Sequence, residues 1–175
     1  MAEVMTALAR VVPVEGLGMI TIRADLDRAG DAIAEAVGLA MPGQTRIVTA
    51  GERALGYMSP DELLLMLPHA EVPGALDAVT GALQGEHSLV ADVSDMRCVF
   101  DVLGEGAEQV MAKLSPTDFA ALPPDGLRRS RAAQVPSAFW RVPGGLRVIA
   151  FRSVSEYLGG VLQGAAAPGT WLDPR

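Results

Sequence analysis

LGYMSPDELLLMLPHAEVPGALDAVTGAL, residues 55–83, reads as a strand, a turn, a second strand and a helix in that order. Residues 55–58 and 62–67 flank Ser59-Pro60-Asp61. Pro pre-sets the backbone of a turn, and Ser and Asp side chains bond nearby main-chain groups, so this tripeptide reads as a hairpin turn. The run 63–67 (LLLML) is apolar at every position. Neither of its faces suits water, so the strand is expected at the centre of its sheet. Pro73 suits the first turn of a helix. Val72, Leu76, Val79 and Leu83 recur at helical spacing as a buried stripe, and Gly85 ends it.

The same order returns at residues 139–162 (FWRVPGGLRVIAFRSVSEYLGGVL), with Pro143-Gly144-Gly145 as the turn. There Ser153-Val154-Ser155-Glu156 reads as a capping box opening a helix with the face Val154, Tyr157, Leu158, Val161 and Leu162. Working outward, residues 18–23 (GMITIR) read as a strand. A helix follows, started by Asp25 and Asp27, striped by Ala29, Ile33, Val37 and Ala40 and stopped near Gly38. Residues 46–50 are a short strand, 87–93 and 97–103 two more. Gly104 breaks the latter. Ala107, Val110, Met111 and Leu114 stripe a third helix, a Pro-rich loop spans 115–126, and a strand is read at 131–135. The halves match in order, which indicates a diverged internal duplication. The expected fold class is α+β: a mostly antiparallel sheet with packed helices, built from two strand-helix-strand-hairpin-helix repeats. The boundaries are an N-terminal arm at 1–16, one domain at 17–164 (pseudo-repeats 17–85 and 87–164) and a tail at 165–175, expected to serve assembly rather than the core.

Half of the 175 residues are apolar, enough for a core without disorder. Twenty-one acidic residues face fourteen basic ones, of which Lys113 is the sole lysine, for a net charge of −7. Phosphate neutralisation dominates nucleic-acid affinity, so nucleic acid is a poor partner. One cysteine, Cys98, allows neither a disulfide framework nor a Cys-rich zinc site, which suits a reducing cytoplasm. The first 18 residues lack the basic start and unbroken apolar stretch of a signal peptide, and no apolar run approaches the ~20 residues of a membrane span.

Residues 92–97 (DVSDMR), followed by Val99, Leu103, Gly104, Ala107, Leu114 and Asp118, resemble the DVS strand, Gly turn and Ala-containing helix of the folate-binding aminomethyltransferase superfamily, which includes the glycine-cleavage T-protein. Residues 59–68 (SPDELLLMLP) and 151–158 (FRSVSEYL) are similar to two segments of sarcosine oxidase gamma subunits. The match departs at Leu63, where Trp is usual, and at Gly159, where a large residue often stands. The resemblance covers roughly residues 17–163. It implies an aminomethyltransferase-like fold and a structural role for Asp92, Ser94, Asp95, Arg97, Gly104, Ser153 and Tyr157. It also implies a heterotetrameric complex in which alpha (chiefly), beta and delta subunits are the partners. Flavins, NAD and tetrahydrofolate reside in those partners, sarcosine is oxidatively demethylated to glycine there, and this chain holds no cofactor or active site. The second acidic cluster that addresses folate in true aminomethyltransferases is not found, so the resemblance carries the fold and the complex but not the chemistry.

Asp92, Asp95 and Arg97 could form an acid/base or anion-binding set, but Asp and Ser are ordinary turn formers and strand alternation puts the two carboxylates on opposite faces. His69 and His87 are a poor zinc pair without cysteines nearby. Cys98 shares a face with Phe100 and Val102, which suits a buried, inert thiol. Arg128, Arg129 and Arg131 are either a site for an acidic partner or a solvated loop before a strand. Arg152, at a helix start, could also face a partner carboxylate. Trp171, in a Pro-containing tail, either anchors to another chain or lies on its own surface. Three readings follow: a non-catalytic subunit of a folate-linked sarcosine oxidase, a stand-alone folate-binding aminomethyltransferase-like protein, and an adaptor with an unrelated partner.

Overall fold

A computed structural model describes residues 7–172 of the chain. Along it run β1 (Arg10–Pro13), β2 (Leu17–Arg23), α1 (Leu26–Val37), β3 (Ile47–Ala50), β4 (Arg53–Ser59), β5 (Glu62–Pro68), α2 (Val72–Ala82), β6 (Leu89–Asp92), β7 (Arg97–Leu103), α3 (Ala107–Leu114), β8 (Leu127–Ala132), β9 (Val135–Val142), β10 (Gly145–Phe151) and α4 (Ser155–Ala166). Short 3-10 turns lie at His69–Glu71, Ser94–Met96 and Arg152–Val154. The class is α+β, with two five-stranded antiparallel sheets.

The chain divides into two compact units. The first holds residues 16–96 and 125–127. Its sheet runs β3-β4-β5-β2-β6, so the all-apolar strand β5 is indeed central. Leu63, Leu65 and Leu67 join Ile20, Ile22, Ile33, Val72 and Val79 in one core under α1 and α2, while Leu64 and Met66 are buried on the opposite face. Without β3 this is the split βαβ arrangement of ferredoxin-like folds. The Asp25 carboxylate accepts from the Asp27 N–H at 3.1 Å and caps α1, as its position suggests.

The second unit holds residues up to 15, then 97–124 and 128–175, and its sheet runs β1-β7-β10-β9-β8. Strand for strand it has the order of the first: β8, β9, β10 and β7 stand where β3, β4, β5 and β2 do. The fifth place differs in origin. In the first unit β6 follows α2; in the second the place is taken by β1, from the other end of the chain. Residues read as an N-terminal arm therefore include a sheet strand. Leu8 and Ala9, just before it, are buried in the second core with Phe100, Val110, Met111, Phe139, Val148, Leu158 and Leu162.

Several local expectations change. Residues 165–166 complete α4 rather than open a tail, and Ala166 is buried. The strand read at 131–135 is a hairpin: β8 ends at Ala132, and Ala133 (φ 46°) and Gln134 (φ 73°) turn the chain into β9. Tight hairpin turns need two left-handed residues, usually Asn or Gly, and Ala-Gln hides that signal. The capping box at 153–156 does not form. Residues Arg152–Val154 make a 3-10 turn and Val154 precedes the helix without a side-chain cap bond. Tyr157, read as part of the buried stripe, is 53% exposed, because its larger ring reaches past the helix–sheet seam that Leu158 and Leu162 fill.

Candidate functional site

The DVS segment holds the sheet together. β6 stops at Asp92, and the Val93 N–H still donates to the Met19 carbonyl at 2.8 Å. The next ladder position is filled by a side chain: the buried Met19 N–H donates to Ser94 Oγ at 2.9 Å. Ser94 in turn donates to Asp92 Oδ1 from its N–H (2.9 Å) and its hydroxyl (2.5 Å). These two bonds, with a smaller contribution from nearby His69, hold the Asp92 carboxyl below the usual carboxylate range. Asp95 lies in the following 3-10 turn, where strand alternation no longer applies. Gly104 ends β7 with φ +130°, a conformation for which glycine is suited, and donates to the Gly144 carbonyl.

A lowered carboxylate pKa adds stability above the ordinary Asp value, and that stability is lost as pH falls through the folded value. Ser94→Ala removes the hydroxyl bond, the larger of the two that lower it, leaves the backbone N–H bond in place and orphans the buried Met19 N–H. The expected loss is about 1–3 kcal/mol at neutral pH. The gap to wild type should shrink as pH falls below the ordinary Asp value and through the lower folded one. Urea unfolding at pH 7 and pH 3 measures it; an equal gap at both would show that the carboxylate takes no part.

The arginine cluster is not a loop. Arg128, Arg129 and Arg131 lie in β8, the edge strand of the second sheet, and all three are exposed. Alternation puts Arg129 and Arg131 on the face away from the helices, because Ala132 faces the helical core. Arg97 opens β7 directly opposite Phe151, the last residue of β10, and its guanidinium carbon stands 4.3 Å from the centre of that ring. Arg152 follows Phe151 in an exposed 3-10 turn with Ser153. The Tyr157 hydroxyl donates to the Ala133 carbonyl at 3.1 Å, tying the first turn of α4 to the hairpin after Arg131. Arg131, Arg152, Arg97 and Tyr157 thus gather at one end of this sheet. Sequence reasoning passed over Phe151 as the apolar close of a strand; it is 42% exposed.

Trp171 is exposed at the other end of α4, a helix of 12 residues and so roughly 18 Å long. Its neighbours are anchored. Lys113 Nζ donates to the Ala165 carbonyl (2.6 Å) and Thr170 Oγ1 (2.8 Å), and the Leu172 N–H donates to Gln109 Oε1 (3.0 Å). Burial lowers the Lys113 pKa. Cys98 is buried, with Sγ 3.4 Å from the Phe151 carbonyl oxygen. His69 and His87 are exposed, and among the described residues no three His, Cys, Asp or Glu side chains gather as a metal set. No helix among the described residues is long and apolar enough to cross a membrane.

Residues 23–132 match the model of the sarcosine oxidase, gamma subunit family. The chain belongs to that family. A sarcosine oxidase subunit gamma from Arthrobacter sp. is 32% identical over 130 residues, which are 70% of this chain and 62% of that one. The gamma-family chain therefore spans less than two thirds of the length of this relative. Its fold is similar to a chain of the heterotetrameric sarcosine oxidase from Corynebacterium sp. U-96 in complex with pyrrole 2-carboxylate, with a TM-score of 0.85 at 24% identity over 95% of this chain and 88% of that one. It is also similar to glycine cleavage system aminomethyltransferase T from Bartonella henselae, with a TM-score of 0.67 at 14% identity, covering 91% of this chain but 46% of that one. The aminomethyltransferase-like fold read from the DVS segment is thus the fold found.

Proposed function

We propose that this gamma-family chain is a non-catalytic structural subunit of a heterotetrameric, folate-linked sarcosine oxidase. The observation that carries the reading is the family match over residues 23–132. In this reading the alpha subunit is the chief partner, with beta and delta completing the complex in the cytoplasm. Those subunits hold the flavins, NAD and tetrahydrofolate, demethylate sarcosine to glycine with release of hydrogen peroxide, and pass the one-carbon unit to folate. The internal geometry supports a structural part for this chain. The DVS carboxylate, which could have addressed a ligand, accepts twice from Ser94 within its own turn.

The test is a tagged pull-down of this chain from its native cells grown on sarcosine, with the flavin absorbance of the eluate as readout. A yellow eluate holding two larger chains and one smaller chain is expected. A colourless eluate from cells shown to express the oxidase would overturn the reading. The likeness to aminomethyltransferase T favours one rival, a stand-alone folate-binding protein. Calorimetry of the isolated chain with tetrahydrofolate separates the two: heat of binding supports the rival.

A further inference from the structure

The two units differ sharply in charge. Residues 16–96 and 125–127 carry four basic and thirteen acidic side chains, a net −9, while the rest of the chain carries ten basic and eight acidic, a net +2. Arg97, Arg131 and Arg152 lie at one end of the second sheet, with the exposed Asp95 two residues before Arg97. Residues 128–136 contain three arginines and no acid, and in residues 151–158 Glu156 is the only acid.

On the face of this sheet away from the helices, Arg97 and Phe151 are cross-strand neighbours. The register of β10 with β9, Ile149 opposite Ala138, continued by two residues brings exposed Pro136 beside Phe151. Arg131 flanks Pro136 from the edge strand across the tight hairpin. In this row Phe151, Pro136 and Arg131 are exposed, as is Arg152 after Phe151, and Arg97 is half-buried. An aromatic ring stacked on one arginine and flanked by others combines the residue types that anchor protein interfaces: a rigid ring with little side-chain entropy to lose, and forks that fit carboxylates.

We propose that this row docks an acidic segment of a partner subunit, seating an apolar side chain on Phe151 beside a carboxylate that pairs with Arg131. The proposal rests on the subunit reading above and adds the surface and the partner's chemistry. The strongly acidic first unit would repel such a segment, so the charge division orients the encounter as well as strengthening it. A second copy of this chain is the weaker occupant. Its acidic unit meeting this row would be a head-to-tail contact, which closes only as a ring and otherwise grows into filaments.

The test co-expresses the tagged 175-residue chain with the alpha, beta and delta subunits and compares wild type with R131E, F151S and R10E. Residues 131 and 151 are exposed, so both variants should keep the wild-type melting temperature. The expected result is a loss of about tenfold or more of co-purified subunits for R131E and F151S. R131E should lose more at low salt than at high salt, where screening already weakens the wild type. R10E, on β1 of the same unit, should behave as wild type. If R131E and F151S capture partners as well as wild type does, the surface is wrong and the subunit reading stands. If R10E fails equally, net charge and not this row governs assembly, which also overturns the proposal. If wild type captures none of the three subunits, both readings fall. Self-association of the wild-type chain that R131E abolishes, with hetero-assembly intact, would assign the row to a second copy and overturn the proposal.

Discussion

Deleting residues 1–13 should unfold the second unit or drive the chain into aggregates. The segment is short, but it supplies the fifth strand of that sheet: Arg10, Val11, Val12 and Pro13 pair in register with Leu103, Val102, Asp101 and Phe100. Leu8 is buried in the core, a contribution of about 1.5–3 kcal/mol. Its main chain is tied on both sides, donating to the Ala166 carbonyl at 2.9 Å and accepting from the Gly106 N–H at 3.1 Å. Losing a partner for such groups costs about 1–3 kcal/mol each where water does not replace it. Together these losses are comparable to the roughly 5–15 kcal/mol that holds a domain folded. The deletion also bares the long edge of β7, an open template for intermolecular pairing. Urea unfolding followed by circular dichroism checks the result, with Leu8→Ala as a graded control expected to lose about 2–5 kcal/mol. A deleted chain with the wild-type midpoint would show that the strand is ornamental.

This strand also marks where sequence reading ended. The duplication was legible because each repeat carries its own periodicity: β5 and β10 are dense in apolar residues, and α1 and α3 show single buried stripes. Each helix–hairpin–helix order follows from neighbours in sequence. The fifth strand of the second sheet is not a neighbour. Nothing local to residues 10–13 says that they pair with residues 100–103, since a four-residue edge strand has too few alternations to show a period. The 131–135 error had a different cause. Its turn uses Ala and Gln at left-handed angles that cost each residue on the order of 1 kcal/mol, so the residues that normally advertise a turn were missing.

The candidate site divides the same way. Asp92 and Ser94 were read as turn formers, and their bonds to each other and to Met19 are what such residues do. Arg128, Arg129 and Arg131 were identified as the basic cluster, but their place on an edge strand required knowing the hairpin. Phe151 could not be recognised as exposed. An apolar residue closing an apolar strand is ordinarily buried, and here it is exposed. Its stacking with Arg97 joins residues 54 positions apart through the β7–β10 pairing.

Phe139→Ala should be the most damaging single truncation in the second unit, costing about 3–5 kcal/mol. Phe139 is fully buried at the centre of that core. Its ring meets Phe119 edge-on, with centroids 5.4 Å apart and planes at 76°, a geometry that adds about 0.5–1.5 kcal/mol to simple burial. Phe119 belongs to the irregular stretch between α3 and β8, which has little else to fix it. Arg141 supplies the rest: its guanidinium donates to the Phe119 carbonyl (2.6 Å) and the Leu122 carbonyl (3.0 Å) and pairs with Glu108 (2.7 Å). Losing the ring therefore leaves a cavity and releases the inner support of this loop. Two readouts follow. The urea midpoint should fall, and amides of residues 116–124 should exchange with solvent faster than those of β9 and β10 under native conditions. Phe139→Leu, which keeps most of the volume but not the edge-on contact, should lose less stability while still speeding exchange in the loop. A stability loss below about 1 kcal/mol for Phe139→Ala would mean that the core collapses around the missing ring far more readily than close-packed interiors do.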